Sequence, residues 1–332
     1  MHSQYVCLIL RKMTFMYLTL TLNPSIDYYI ELPAGKKLIT GTDDGPAVNR
    51  SVKESFEAGG KGINVALVLH RLTDNTAQVT AAGFEAGFTG KEIIRIIEQE
   101  GLISKFIEVP GNTRINLKAK DGNGLETEIN GSGPAVGPGD ISRLIDTLKK
   151  TDFDTLFISG SLPRTLNSDA YSVIMTAVQG FNPKARIILD CEGETLIKCL
   201  PLKPFLIKPN ARELASLTRM KINTSSSLND IREAAVKLIR QGAQNVLVSL
   251  GENGAYLLTG SGEYYHTPGI KGDVISTIGA GDTMIASFIY GIDNGMDMQK
   301  ALGFSNACAA KAAFSEGIPG ADALGEFLKE FS

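Results

Sequence analysis

Ile278-Gly279-Ala280-Gly281-Asp282-Thr283 runs straight into the apolar stretch from Met284 to Gly291. Three small residues and a carboxylate at a helix start have a definite chemical use. The first N–H groups of a helix lack an intrahelical acceptor, and the helix dipole favours negative charge there, so they can cradle an anion. Gly279, Ala280 and Gly281 leave room for a phosphate to reach the backbone. Asp282 beside that cradle would repel a phosphate, but it gains a purpose if it takes a proton from a hydroxyl attacking phosphorus.

Other segments could serve the same reaction. Asp27 in Leu22-Asn23-Pro24-Ser25-Ile26-Asp27 lies past a strand end, where it could accept sugar hydroxyls or simply close an Asx-turn. Gly59-Gly60-Lys61-Gly62-Ile63-Asn64 precedes a helical pattern. Gly60, Lys61 and Asn64 could hold a phosphate and hydroxyls, or form a Gly-rich turn with a surface lysine. The spacing is not that of a Walker A loop. Arg114 and Asn116 sit on a strand pattern, where a guanidinium suits a phosphate ester but also suits a solvated face. Ser161 follows a buried strand and could complete a substrate loop. In Lys208-Pro209-Asn210-Ala211-Arg212-Glu213, the Asn and Glu are three apart, which fits both light contact with Mg²⁺ and a capping box. Ser249-Leu250-Gly251-Glu252-Asn253-Gly254 offers a Gly-containing turn suited to lie against a nucleotide.

The elements that must position these residues alternate. Tyr17–Leu22, Ala77–Ala82, Thr155–Ser159, Arg186–Asp190, Phe205–Lys208 and Asn245–Ser249 read as buried strands. Gly62–Leu72, Lys91–Gln99, Ile141–Lys149, Asp169–Val178, Leu228–Gln241 and Met298–Phe314 read as helices. This predicts an α/β fold with a doubly wound, mostly parallel sheet flanked by helices, whose ligands bind beyond the strands' carboxyl ends. Asp27–Pro33 and Ala47–Phe56, joined by the loop Gly35–Pro46, break the alternation, as does a hairpin of Thr113–Lys120 and Leu125–Asn130. They predict a small β-sheet lid built from about 27–56 and 113–130. The expected organisation is one domain over 16–332, preceded by an extension over 1–15.

With 43% hydrophobic and 21% charged residues, the 332-residue chain has an ordinary globular composition. A net charge of −3 argues against nucleic acid as a partner. Neither apolar run near the N-terminus reaches the roughly 20 residues of a membrane span. Four cysteines and three histidines form no metal-like cluster, and a reducing cytoplasm is expected.

Taken in order, Asn23-Pro24…Asp27, GGKGIN, SGSLP, KPN..E and the terminal GAGD resemble the PfkB (ribokinase-like) carbohydrate kinases from about Met16 onward. TLTLNPSID (19–27), GFTGK (87–91), TRINLK (113–118), TEINGSGP (127–134) and KPFLIKPN (203–210) narrow the resemblance to the branch that phosphorylates fructose 1-phosphate at its 6-hydroxyl. Tagatose-6-phosphate kinases share much of that pattern.

The resemblance implies Asp282 as base, Gly279, Ala280 and Gly281 as anion hole, and Asp27, Gly60, Lys61, Asn64, Arg114, Asn116 and Ser161 around the sugar phosphate. It implies Lys208, Asn210, Ser249 to Gly254, Gly281 and Asn306 at ATP, Glu213 at Mg²⁺ through water, and a homodimer formed through the lid. The chain departs from the family pattern at Ser287, at Cys191-Glu192, in the length of the 35–46 loop and in the N-terminal extension. A dinucleotide oxidoreductase lacks its GxGxxG turn after the first strand, and an inert sugar-phosphate sensor would not need Asp282.

Overall fold

Thr19 and Leu20 stand at the middle of β1 (Tyr17–Thr21), which is buried along its whole length because parallel neighbours flank it on both sides. The computed structural model describes residues 15–39, 41, 45, 47–73 and 78–331. Most of the expected N-terminal extension and part of the 35–46 loop therefore lie outside the described residues. From β1 the chain passes through β2 (Ser25–Glu31) and β3 (Lys53–Gly59) into α1 (Lys61–Leu72), β4 (Val79–Glu85), α2 (Gly87–Gln99) and β5 (Ile103–Glu108). A hairpin of β6 (Arg114–Lys120) and β7 (Glu126–Asn130) follows, then α3 (Pro138–Lys149), β8 (Thr155–Ser159), α4 (Ala170–Phe181), β9 (Arg186–Asp190) and α5 (Gly193–Cys199). The remainder is β10 (Leu206–Ile207), α6 (Ala211–Thr218), α7 (Leu228–Gln241), β11 (Asn245–Ser249), β12 (Ala255–Thr259), β13 (Tyr264–Thr267), α8 (Ala280–Asp293), α9 (Met298–Ala313) and α10 (Ala321–Phe331).

Nine strands form one sheet in the order β13-β12-β11-β10-β9-β8-β1-β4-β5, parallel except for the β12 and β13 pairings. The winding reverses at β1, between β8 and β4. Asn23 follows β1 and Ser161 follows β8, so both stand at the switch point where such sheets open a binding crevice. Two apolar layers cover the faces, one built with α3 to α7 and the other with α1, α2, α8, α9 and α10. In α8 nine residues are buried, which is what an apolar run on all sides of a helix requires. The fold is the mixed α/β architecture expected.

A second sheet, β3-β2-β6-β7, projects from the carboxyl ends of β1 and β5. Alternation divides it into two faces. Asp27, Tyr29, Glu57, Asn116 and Lys118 share one, and Tyr28, Phe56, Ile115 and Ile129 the other.

Some boundaries differ from the sequence reading for tertiary reasons. β3 covers Lys53–Gly59 rather than 47–56, because it pairs with β2 from Glu31↔Lys53 to Ser25↔Gly59. The helix expected from Lys91 starts at Gly87. Thr113 holds its first turn: its N–H donates to Ala86 O at 2.8 Å, and its hydroxyl accepts from Ala86 N at 2.9 Å. Gly87 makes that approach feasible, since a Cβ there would lie 2.7 Å from Gly111 O. The strand expected at 77–82 runs instead from Val79 to Glu85. β5, α5, β12, β13 and α10 were not anticipated, whereas α6 starts at the Asn210–Glu213 capping box the spacing suggests.

Candidate active site

Gly279 caps α8 in the left-handed conformation (φ 77°), turning the first-turn amides of Gly281 and Asp282 outward without an intrahelical acceptor. Asp282 is only 5% exposed. Its Oδ2 accepts from Asn64 Nδ2 at 2.8 Å, joining the GAGD turn to α1 across 218 residues of sequence. Burial and then the charge of Asp190 raise the Asp282 carboxyl to about 6, while Asn64, Lys61 and Lys208 oppose the rise.

Two lysines stand beside it. Lys61 begins α1, where a cation opposes the helix dipole, so carboxylates must compensate. Its Nζ lies 3.5 Å from Asp190 Oδ1 and 3.7 Å from Glu192 Oε1. Burial works against this ammonium, but Asp190 and Asp282 outweigh it and hold Lys61 above its ordinary value. Lys208 Nζ is 3.6 Å from Asp190 Oδ2. A Cβ at Gly281 would come within 2.9 Å of that ammonium, so glycine keeps the space between Lys208 and the helix start open. Asp190, at the end of β9, therefore organises both lysines. Sequence reading missed that role, because a carboxylate after IIL carries no motif.

The segment before α1 is glycine-rich for packing reasons as well. Gly60 has φ 129°, and Cβ atoms at Gly60 and Gly62 would meet Thr21 side-chain atoms at 2.7 and 2.4 Å. On the inner face of the small sheet, Asp27 Oδ1 accepts from Ser25 Oγ (2.7 Å) and Asn116 Nδ2 (2.9 Å). Asp27 Oδ2 takes Lys118 Nζ at 2.6 Å. Burial opposes the Lys118 ammonium, but the hydrogen bond and charge of Asp27 raise it above its ordinary value. Arg114 donates Nε to Asn23 O (3.2 Å) and Pro24 O (3.4 Å), and Nη2 to Asn23 O (3.0 Å). Its guanidinium thus clamps the turn after β1 through Nε and Nη2. Ser161 Oγ accepts from Asn23 Nδ2 at 3.5 Å. Asp27, Gly59, Asn64 and Gly279 line one cavity, which brings the small sheet, α1 and the GAGD turn together.

Asn210 and Glu213 form the capping box of α6: Asn210 Oδ1 accepts from Glu213 N, and Glu213 Oε2 from Asn210 N, both at 2.8 Å. Burial raises the Glu213 carboxyl, and that backbone hydrogen bond pulls against it. Among the described residues no group of three or more His, Cys, Asp or Glu is arranged to cage a metal. The donor set fits a cation that keeps most of its waters, since the cap engages Glu213 through Oε2 alone.

Gly251–Asn253 forms a short 3-10 turn after β11. The Leu250 side chain is in the core, so only its backbone faces the loop. Gly254 (φ 87°) allows that turn to sit on Thr267, where a Cβ would lie 2.0 Å from the carbonyl oxygen. Asn306 Nδ2 donates to Pro268 O at 3.0 Å. Two clefts flank Pro268 and Gly269. One is lined by Lys300 and Asn306, the other by Ser225, Glu252, Asn253 and His266. The contributions of Ser225, His266 and Pro268 had no sequence signal. Ser287 is accommodated by bonding the carbonyl of Thr283 within α8.

Residues 22–319 match the model of the pfkB family carbohydrate kinases. The chain is 35% identical over 317 residues to a 1-phosphofructokinase of Bacillus subtilis, covering 95% of this chain and 98% of that one. It is 34% identical over 307 residues to a D-tagatose-1-phosphate kinase of Bacillus licheniformis, covering 91% and 94%. Among solved structures, Escherichia coli phosphofructokinase-2 in complex with fructose-6-phosphate superposes with a TM-score of 0.82 at 26% identity, covering 96% and 99%.

Proposed function

Because this chain belongs to the pfkB family of carbohydrate kinases, we propose that it transfers the γ-phosphoryl group of ATP to the 6-hydroxyl of fructose 1-phosphate. The products are fructose 1,6-bisphosphate and ADP. One observation carries the reading: a buried carboxylate at a helix N-terminus, bonded at 2.8 Å to Asn64 of the GGKGIN segment. That contact supports the reading, because it sets a carboxylate at a helix start beside the cavity lined by Asp27 and Gly279.

Asp27 and Asn64 orient the ketose hydroxyls, with Gly60, Lys61, Asn116 and Ser161 completing the pocket. Arg114 offers its remaining guanidinium nitrogen to the 1-phosphate. Asp282 takes the 6-hydroxyl proton as that oxygen bonds to the γ-phosphorus and the bond to the ADP oxygen breaks. Gly279, Ala280 and Gly281 hold the transferring group, and Lys61 and Lys208 offset its charge. Ser249 to Gly254, Asn210 and Asn306 border the nucleotide. Mg²⁺, when bound, would shield the β- and γ-phosphate charge, with Glu213 holding it through water.

The small sheet serves as a lid that excludes water, a competing acceptor. Its outer face exposes Phe56 (59%), Ile115 (42%) and Ile129 (62%), an apolar surface suited to a second copy of the sheet in a homodimer. Among the described residues no helix is long and apolar enough to cross a membrane. Cys191, Cys199 and Cys308 are free thiols, in keeping with a reducing compartment such as the cytoplasm.

A second acceptor, a tagatose phosphate, is favoured by the Bacillus licheniformis relative, whose named substrate carries its phosphate on C1. Coupled ADP release with Mg-ATP separates the readings. Fructose 1-phosphate is expected to give the highest kcat/KM against tagatose 1-phosphate, tagatose 6-phosphate and fructose 6-phosphate. Preference for a tagatose phosphate reverses the sugar assignment, and no turnover on any of the four refutes the kinase assignment.

A further inference from the structure

The inner face of the small sheet carries a lysine that the phosphoryl transfer above does not use. Lys118 on β6 is in register with Tyr29 of β2, and its side chain is only 11% exposed. Its Nζ lies 2.6 Å from Asp27 Oδ2 and 3.1 Å from the Tyr29 hydroxyl, and 4.9 Å above the Tyr29 ring centroid. Ser25 and Asn116 occupy the other carboxylate oxygen, so Asp27 is held on both sides and Lys118 supplies the charged contact. Arg114 Nε and Nη2 instead donate to main-chain carbonyls of the turn after β1.

Glu57 of β3 is the direct cross-strand partner of Asp27 on the same face. Both line the cavity that Asn64 and Gly279 also border. Glu57 and Lys118 together line the adjoining space beneath the sheet, bounded by Ile278 and Glu316. Like charges directly opposite on a sheet repel each other, and an entering phosphate dianion would meet both carboxylates. Orienting groups must also be fixed by neighbours of their own if they are to hold a hydroxyl in a reactive geometry.

Resting on the sugar-phosphate kinase reading, we propose that Lys118 is a positioning residue of the acceptor pocket. Its ammonium fixes the Asp27 carboxylate and offsets the Asp27–Glu57 pair, so that the pocket orients a ketose hydroxyl while admitting a phosphate dianion. This gives the lid a specificity role beyond excluding water.

Kinetics of Lys118→Met, Lys118→Arg, Glu57→Gln and the Lys118→Met/Glu57→Gln double variant test this, varying fructose 1-phosphate and Mg-ATP separately. Lys118→Met is expected to raise KM for fructose 1-phosphate about 10- to 100-fold, with kcat and the Mg-ATP KM changing less than about threefold. Lys118→Arg recovers most of the loss, and Glu57→Gln in the Lys118→Met background recovers part of it. A lysine that only staples β6 to β2 would lower thermal stability, move both KM values alike and gain nothing from Glu57→Gln. That pattern, or an unchanged sugar KM in Lys118→Met, overturns the proposal while wild-type turnover leaves the kinase reading standing. Absence of wild-type turnover on fructose 1-phosphate overturns the reading itself and the proposal with it.

Discussion

Asp282 combines two properties that pull against each other: it must ionise to act as a base, yet burial and Asp190 favour its neutral form. A carboxyl raised from 3.8 to about 6 binds its proton more tightly in the folded than in the unfolded chain. Folded-state stability therefore falls as pH rises from the unfolded value through about 6, and stays lower above it. Asp282→Asn, neutral throughout, should raise Tm at pH 7.5 and lose that gain by pH 4, a difference that thermal melts at the two pH values measure. The same variant should lower kcat by about 10²–10⁴, the usual contribution of a general base. Wild-type kcat/KM should fall on the acid side through about 6, as the base takes up its proton. Near-normal turnover in Asp282→Asn would remove Asp282 from the reaction. At this scale the sequence was informative where a residue type is unusual for its place: a carboxylate in a GAG turn, or a lysine opening a helix. It was silent on Asp190 and Lys118, whose roles come from partners distant in sequence.

Glycines show how elements fix the site. Gly62 lies in the first turn of α1, where a Cβ would meet Thr21 Oγ1 at 2.4 Å and Leu20 O at 2.7 Å. Gly62→Ala should push α1 off β1, destabilising the fold by about 1–3 kcal/mol. Urea unfolding should record the loss, and the sugar KM should rise because Lys61 and Asn64 shift with the helix. An unchanged midpoint would mean that α1 moves freely against β1. The periodicity of α1, α3 and α7 could be read because each has a buried stripe, and strands β1, β8 and β9 because burial between parallel neighbours gives apolar-rich runs. β3 was misplaced because nearly all its side chains are exposed, leaving only its pairing with β2 to define it. The start of α2 was hidden because GFTG looks like a turn until Thr113 is seen to hold it.

For the whole molecule, the sheet reversal at β1, the crevice above it and the projecting small sheet form one arrangement, with Asp27, Asn116 and Lys118 on the small sheet and Asp282 on α8. The alternating pattern foretold the large sheet and the segments that break it foretold the small one, but the two faces of the small sheet follow from register alone. Replacing Phe56 and Ile129 by Glu and Lys should shift the enzyme toward monomer in sedimentation velocity while leaving its secondary structure intact. A wild type that is already monomeric at micromolar concentration would exclude the lid dimer. The central claim is that Asp282 drives phosphoryl transfer to the 6-hydroxyl of a ketose 1-phosphate. Its most direct test is a ³¹P NMR time course of fructose 1-phosphate and Mg-ATP with the enzyme. The account predicts a new phosphate ester on C6 growing one-for-one with ADP. ADP without that ester, or an ester on another carbon, would contradict it.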